Sequence, residues 1–347
     1  MYWGWTSDFC WWEGVSCDSD KNVITLLYRG DESGTRLVGG LPSVLSLRGL
    51  PKLQTLDLQR NDLSSTVPAA YSHLGLVSLW LHHMPGIVGT LPRQWAGRPL
   101  AESIQFIGIG NCSLVGTLPD NWSVMQKLEM VTFSENALTG TLPSSWGNMT
   151  SLTGVWLYTN NFSGTLPPEY QAWSRLEHLQ LWRNPRISGT LPEAWGKGLR
   201  NLTEMGLGGL SDLCLGERSV MTGTLPPAWS GLIRLKKLNV ICMPNLSGSL
   251  PAEWGALKEL EVSHVLLLEV HSSYSCTQPS SDARIPLVLL RTHELECDNT
   301  HLLIVLAAGE RGMCWFAFAC SDKATKTTRE GCIVKGSACG HRAIQMT

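Results

Sequence analysis

Along most of the chain, aliphatic residues alternate with polar or small ones for about five positions, and the alternation then breaks at a fixed point. Leu53-Gln54-Thr55-Leu56-Asp57-Leu58-Gln59-Arg60-Asn61-Asp62-Leu63 shows the pattern in full, L-x-x-L-x-L-x-x-N-x-L. Val131–Leu138 ("VTFSENAL") and Val155–Phe162 ("VWLYTNNF") repeat its second half. A period of two predicts a short strand with Leu56 and Leu58 on one face and Thr55, Asp57 and Gln59 on the other. The asparagines (Asn61, Asn136, Asn160, Asn184) mark where the chain leaves the strand, and their amides suit backbone groups that turn inward there.

A second pattern follows each strand. The stretch "GTLPPAW" at 223–229 has eight counterparts: GGLPSVL (39–45), STVPAAY (65–71), GTLPRQW (89–95), GTLPDNW (116–122), GTLPSSW (140–146), GTLPPEY (164–170), GTLPEAW (189–195) and GSLPAEW (248–254). Their prolines lie mostly 24 to 27 residues apart, with one gap of 34. A fixed period in this range is the signature of a leucine-rich repeat solenoid, a curved right-handed coil. Its parallel β-sheet lines the concave face and 3₁₀ or extended segments line the convex one. Glycine permits a tight bend, proline starts a single helical turn, and the ring three residues on falls back over the core. The rings at Tyr71, Trp95, Trp122, Trp146, Tyr170, Trp195, Trp229 and Trp254 therefore predict an aromatic ridge that closes the convex side, rather than a sugar-stacking stripe.

The reading divides the chain into three parts: residues 1–29 as an N-terminal Trp/Cys cap with the first strand, 30–262 as about nine coils, and 263–347 as a Cys-containing region, either a divergent cap or a degenerate segment. A solenoid must cover its first coil. The Trp-rich leader predicts that aromatics do so, with a Cys10–Cys17 disulfide stapling the turn. A second bridge between Cys214 and Cys242 would close the long insertion around 208–219.

Composition narrows the class of partner. Charged residues make up 16% of the 347 and the net charge is −2, so no basic field exists for nucleic acid. The longest apolar runs, such as Leu302–Ala308, are too short to span a bilayer. Cysteines together with six Asn-X-Ser/Thr sequons, at Asn111, Asn121, Asn148, Asn161, Asn201 and Asn245, favour an extracellular or cell-surface location. Since the chain opens directly in polar sequence, the expectation is that a leader precedes Met1.

The cap "C-W-W-E-G-V-S-C" and the repeat "N-x-L-S/T-G-x-L-P" resemble plant-type extracellular leucine-rich repeats. The spelling "G-T-L-P-x-x-W" is similar to that of trypanosomatid surface antigens of the promastigote surface antigen type, over roughly residues 3–262. The resemblance implies a secreted or glycolipid-anchored glycoprotein with adhesive or receptor-binding roles. Such proteins continue into a cysteine-rich cap, a Ser/Thr-rich stalk and a hydrophobic anchor signal. Here the period stops after about Val262, and the polar stretch 340–347 carries no such signal.

Function in a solenoid sits on the inner surface. Most outward strand positions are small or polar. Trp80, Trp156, Tyr158 and Trp182 are exceptions, and with His82 and His178 they are the candidate partner-binding residues. The alternative is that the rings merely stack along the sheet. The strand around Ile104–Gly110 is irregular, and its register stays open. Enzyme signatures are missing: His82-His83 has no carboxylate at ligand spacing, and there is no G-x-S-x-G elbow, C-x-x-C pair or full dinucleotide loop. The expectation is a non-catalytic recognition or adhesion protein without metal or cofactor, binding a protein or glycan on a cell surface. Its alternatives are the ectodomain fragment of a plant-like receptor and a glycan-shielded coat protein.

Overall fold

A computed structural model describes residues 8–30, 35–208 and 219–261, and the backbone alone of strands Val262–Val265, Leu302–Gly309, Gly312–Cys320 and Cys332–Lys335. Trp3, Trp5, Cys214 and most of 263–347 lie outside the described residues. One sheet of eleven strands runs the length of the repeats. In chain order they are β1 (Val15–Cys17), β2 (Val23–Leu27), β3 (Thr55–Asp57), β4 (Ser78–Trp80), β5 (Phe106–Gly108), β6 (Met130–Thr132), β7 (Gly154–Trp156), β8 (His178–Gln180), β9 (Glu204–Gly206), β10 (Lys237–Val240) and β11 (Val262–Val265). β1 pairs antiparallel with β2, and every later neighbour is parallel and in register.

Register follows from the alternation, because a slip of one residue would turn the aliphatic column outward. The inward column Leu56, Leu79, Ile107, Val131, Val155, Leu179, Met205, Leu238 is at most 1% exposed. The asparagines sit at the exit of the strands. Asn160 Nδ2 donates to the carbonyls of Phe133 (2.9 Å) and Leu157 (3.1 Å), and its Oδ1 accepts the N–H of Leu138 (3.0 Å). One amide thus satisfies groups on two coils, as do Asn61, Asn136 and Asn184. Cys112 occupies the equivalent place in its coil, its Sγ 3.2 Å from the Leu81 carbonyl. Burial pushes that thiol up to about 11.

On the far side, each G-x-L-P unit opens a short helical turn, with proline at the N-cap except after Pro42 and Pro192, where Ser43 and Ala194 take that place. The glycine takes positive φ, 76° at Gly164, and the Thr141 γ-methyl sits 2.8 Å from where a Cβ would stand. Only glycine fits there.

The ring closes the turn. Trp95, Trp122, Trp146, Trp195 and Trp229 are fully buried and lie nearly parallel, Trp122 and Trp146 at 6.4 Å and 3°. Each indole N–H donates to the proline carbonyl of the preceding coil: Trp95 to Pro68, Trp122 to Pro92, Trp146 to Pro119, Trp195 to Pro167, Trp229 to Pro192 and Trp254 to Pro226, at 2.9–3.0 Å. The hydroxyls of Tyr71 and Tyr170 do the same with Pro42 and Pro143. Each of the carbonyls of Pro68, Pro92, Pro119, Pro143, Pro167, Pro192 and Pro226 also accepts the backbone N–H three residues on, so both lone pairs are used. Trp173, outside the repeat motif, joins the stack 3.7 Å from Tyr170 and donates to the Trp146 carbonyl.

The N-terminal end departs from the expectation in one respect. Cys10 and Cys17 are joined and the turn Phe9–Trp11 folds around them, but Trp11 is 83% and Phe9 40% exposed. The tight turn set by the Asp8 cap, whose Oδ1 accepts the Cys10 N–H, directs these two rings outward rather than over the first coil.

Trp146 separates the two contributions of a buried indole. Trp146→Phe keeps the stack and removes one hydrogen bond, and is expected to cost about 0.5–1.5 kcal/mol. Trp146→Ala opens a cavity and is expected to cost about 3–5 kcal/mol. Denaturant midpoints of the two variants check the order. Equal losses would show that the indole N–H carries the stability.

Candidate functional site

The outward columns of the sheet are the exposed half of the same alternation. At the second outward position stand Asp57, Trp80, Gly108, Thr132, Trp156, Gln180, Gly206 and Asn239, in direct register. Asp57 is buried rather than outward-facing: its carboxylate lies beneath Arg29, with 2.6 Å between Arg29 Nη2 and Oδ2.

The candidate residues fall into two clusters. The first holds Trp80 and His82 on β4 and the residues just after it, 5.6 Å between ring centroids. Phe106 of β5 stacks on Trp80 at 6.4 Å. This ring escaped the sequence reading because the register of its strand was open. The second cluster holds Trp156, Tyr158, His178 and Trp182 on β7, β8 and the residues that follow them. Tyr158 and Trp182 stack face to face at 4.1 Å and 7°, and Trp156 stacks on His178 at 5.6 Å. β6 separates the clusters with the short side chains Thr132 and Ser134. The rings do stack along the sheet, as the structural alternative anticipates, yet all stay half-buried rather than buried.

Glycines seat the rings. A Cβ on Gly154 would stand 2.2 Å from the Trp156 ring, and one on Gly108 would meet both Trp80 and His82 at 2.3 Å. A Cβ on Gly206 would meet Trp182 at 2.9 Å. The indoles therefore lie down on bare backbone, held in place by an absence of side chain.

Their polar atoms differ from those of the convex rings. No protein group accepts from the indole N–H of Trp80, Trp156 or Trp182, or from the Tyr158 hydroxyl, among the described residues. His82 Nδ1 accepts the Gly110 N–H at 2.8 Å, which leaves the proton on Nε2. Burial, with His83 beside it, pulls this imidazole down to about 4. At the far end, Glu204 sits between Lys237 Nζ (2.6 Å) and His178 Nδ1 (3.6 Å). The Lys237 hydrogen bond leads in holding that carboxyl below its usual range.

The six sequons lie elsewhere. Asn111, Asn148 and Asn245 are exposed, and Asn161 is half-buried beside the asparagine ladder. Asn121 Nδ2 donates to the Arg93 carbonyl and Asn201 Nδ2 to the Ser174 carbonyl. None occupies an outward position of the sheet. Cys242 is disulfide-bonded, while Cys214, its expected partner, lies outside the described residues. No helix among the described residues is long and apolar enough to cross a membrane.

The Leucine Rich Repeat family profile matches residues 52–74. Receptor-like protein 50 of Arabidopsis thaliana is 44% identical over 66 residues, 19% of this chain and 7% of that protein. The structure is similar to that of the Arabidopsis receptor kinase HAESA in complex with the peptide hormone IDA and the co-receptor SERK1. That likeness has a TM-score of 0.61 at 27% identity, covering 74% of this chain and 40% of that one. The PEPR1–AtPEP1 structure gives 0.58 at 29%, covering 74% and 36%. The chain thus spans less than a tenth of that curated relative and under half of these structural neighbours. The molecule is a leucine-rich repeat solenoid, similar in fold to plant receptor ectodomains.

His82 gives the site a pH signature. Its folded pKa, about 4, lies below the ordinary value of 6.5. Between those limits the unfolded chain binds a proton that the fold excludes, so stability falls as pH drops from about 6.5 to about 4. An NMR titration of the His82 ring is expected to show a midpoint near 4, and His82→Gln to shrink the loss of stability across that window. A midpoint near 6.5 would contradict the buried, hydrogen-bonded geometry.

Proposed function

We propose that this chain is a non-catalytic ligand-binding ectodomain segment of the plant receptor type, acting outside the cell, and that it binds a protein ligand on its concave face. One observation carries the reading. The chain uses the same ring types on both faces, but the convex rings are buried with their N–H or O–H groups bonded, and the concave ones are half-exposed with theirs free. A ring that only completed the fold would not need to be left in that state. Solvent-facing aromatics with uncommitted donors suit a partner that brings apolar surface and acceptors.

The comparisons support the receptor form, since HAESA, named above, was solved with the peptide hormone IDA and a co-receptor. The surface-antigen form rests on the G-T-L-P-x-x-W spelling and implies adhesion through the same face. Six sequons outside the sheet support glycosylation that leaves this face bare, which disfavours a role as a shielded coat. A glycan ligand finds less support, because the four coils from Ser78 to Tyr158 offer no carboxylate or side-chain amide at their outward positions.

Photo-crosslinking tests the proposal. A benzophenone side chain placed at Thr132, on the concave face, is expected to capture a partner from extracellular extract. One placed at the exposed Val124, on the convex side, is not. Gly154→Ala, which lifts the Trp156 ring without touching the core, is expected to lower capture at Thr132 at least fivefold at unchanged thermal stability. Capture at Val124 alone, or capture at Thr132 indifferent to Gly154→Ala, would sink the proposal.

A further inference from the structure

Resting on that reading, we propose that the concave surface from β4 to β7 recognises an uncharged, proline-rich peptide segment in the polyproline II conformation. Three features of the surface point to this chemistry.

The first is charge. The outward positions on the four coils from Ser78 to Tyr158 carry no carboxylate, ammonium or guanidinium group. His82 is a neutral imidazole with its Nδ1 already bonded. A charged segment laid on this surface would lose hydration and gain no counter-charge.

The second is the balance of donors and acceptors. Trp80 Nε1–H, Trp156 Nε1–H, the Tyr158 hydroxyl and His82 Nε2–H are free to donate. Acceptors are fewer, and Ser134 is only 3% exposed. A polyproline II segment has the complementary shortage. Its prolines lack N–H groups, and its carbonyls, unpaired within the segment, stand outward. An extended strand-forming peptide would instead bring N–H donors with little here to receive them.

The third is shape. The rings lie against glycine backbone, so they present broad apolar surface on which pyrrolidine rings pack, as in other aromatic-lined sites for proline-rich ligands. Thr132 and Ser134 keep the floor between the two clusters low. β4 and β7 are three ladder steps apart, about 14 Å at roughly 4.8 Å per step. At about 3.1 Å per residue and three residues per turn, a segment running along the solenoid with two of its three ridges on the surface would set side chains four to five residues apart against Trp80 and Trp156. The segment arrives with its conformation largely formed, which reduces the ordering cost of binding.

The test uses the full chain and two labelled twelve-residue peptides in fluorescence anisotropy. One alternates Pro-Pro-Ala, and the other carries glycine at each proline. A neutral hexasaccharide serves as competitor. The proline peptide is expected to bind at least tenfold more tightly than the glycine peptide. Gly154→Ala and Trp156→Ala are each expected to weaken it at least fivefold, and Tyr158→Phe about threefold through loss of its donor. Equal affinity for the two peptides, affinity unchanged by Gly154→Ala, or displacement by the hexasaccharide at lower concentration than by unlabelled peptide would overturn the proposal. If Thr132 crosslinks a partner while the proline peptide fails to bind, the ligand class is wrong and the concave-face reading stands. If both fail, both fall.

Discussion

A buried indole must place its N–H on an acceptor, and among the described residues the acceptor that repeats with the indole is the proline carbonyl one coil back. The arrangement meets two needs together. The carbonyl that ends the Leu-Pro segment already receives the backbone N–H that closes its own turn, and its second lone pair receives the next ring. From Tyr71 to Trp254 each described coil is thereby bonded to its predecessor on the convex side, as the sheet bonds it on the concave side, with the asparagines adding to that bond where a coil carries one. Stacking proceeds only if the coils keep both the spacing and the ring, which is why the P-x-x-W spelling is so constant where the sequence between varies.

That constraint separates the aromatic residues into two populations. The convex rings are architecture, fully enclosed and parallel. The concave rings occupy outward positions where Thr or Ser would satisfy the sheet. They are seated on glycines, where any Cβ would collide with the ring. The pairing of a large ring with a neighbouring glycine recurs at Gly108, Gly154 and Gly206, and from β4 to β7 it shapes a low, uncharged, donor-bearing surface in the middle of the sheet.

Much of the solenoid was legible in the chain. The period-two alternation placed Leu56 and Leu58 inward, the asparagines marked the strand exits, and the proline spacing set the coil. Less of the site was legible. Phe106 was missed because Gly108 and Gly110 broke the alternation around it, and those same glycines turn out to be part of the surface. Asp57 shares a column with Trp80 but is buried, because Arg29 from the preceding coil, remote in sequence, folds over it. Trp173 lies at a position filled elsewhere by Leu or Met, where its size carried no sign that its N–H would find the Trp146 carbonyl. For Asp57 and Trp173 the missing information was a neighbour from another coil.

The most direct measurement is hydrogen exchange at the indole N–H groups, resolved by NMR and assigned through single Trp→Phe variants. The expected result is slow exchange at Trp95, Trp122, Trp146, Trp195 and Trp229, limited by opening of the solenoid, and fast exchange at Trp80, Trp156 and Trp182. Rapid exchange at the first group would contradict the carbonyl ladder, and protection at the second would show that the concave rings belong to the core.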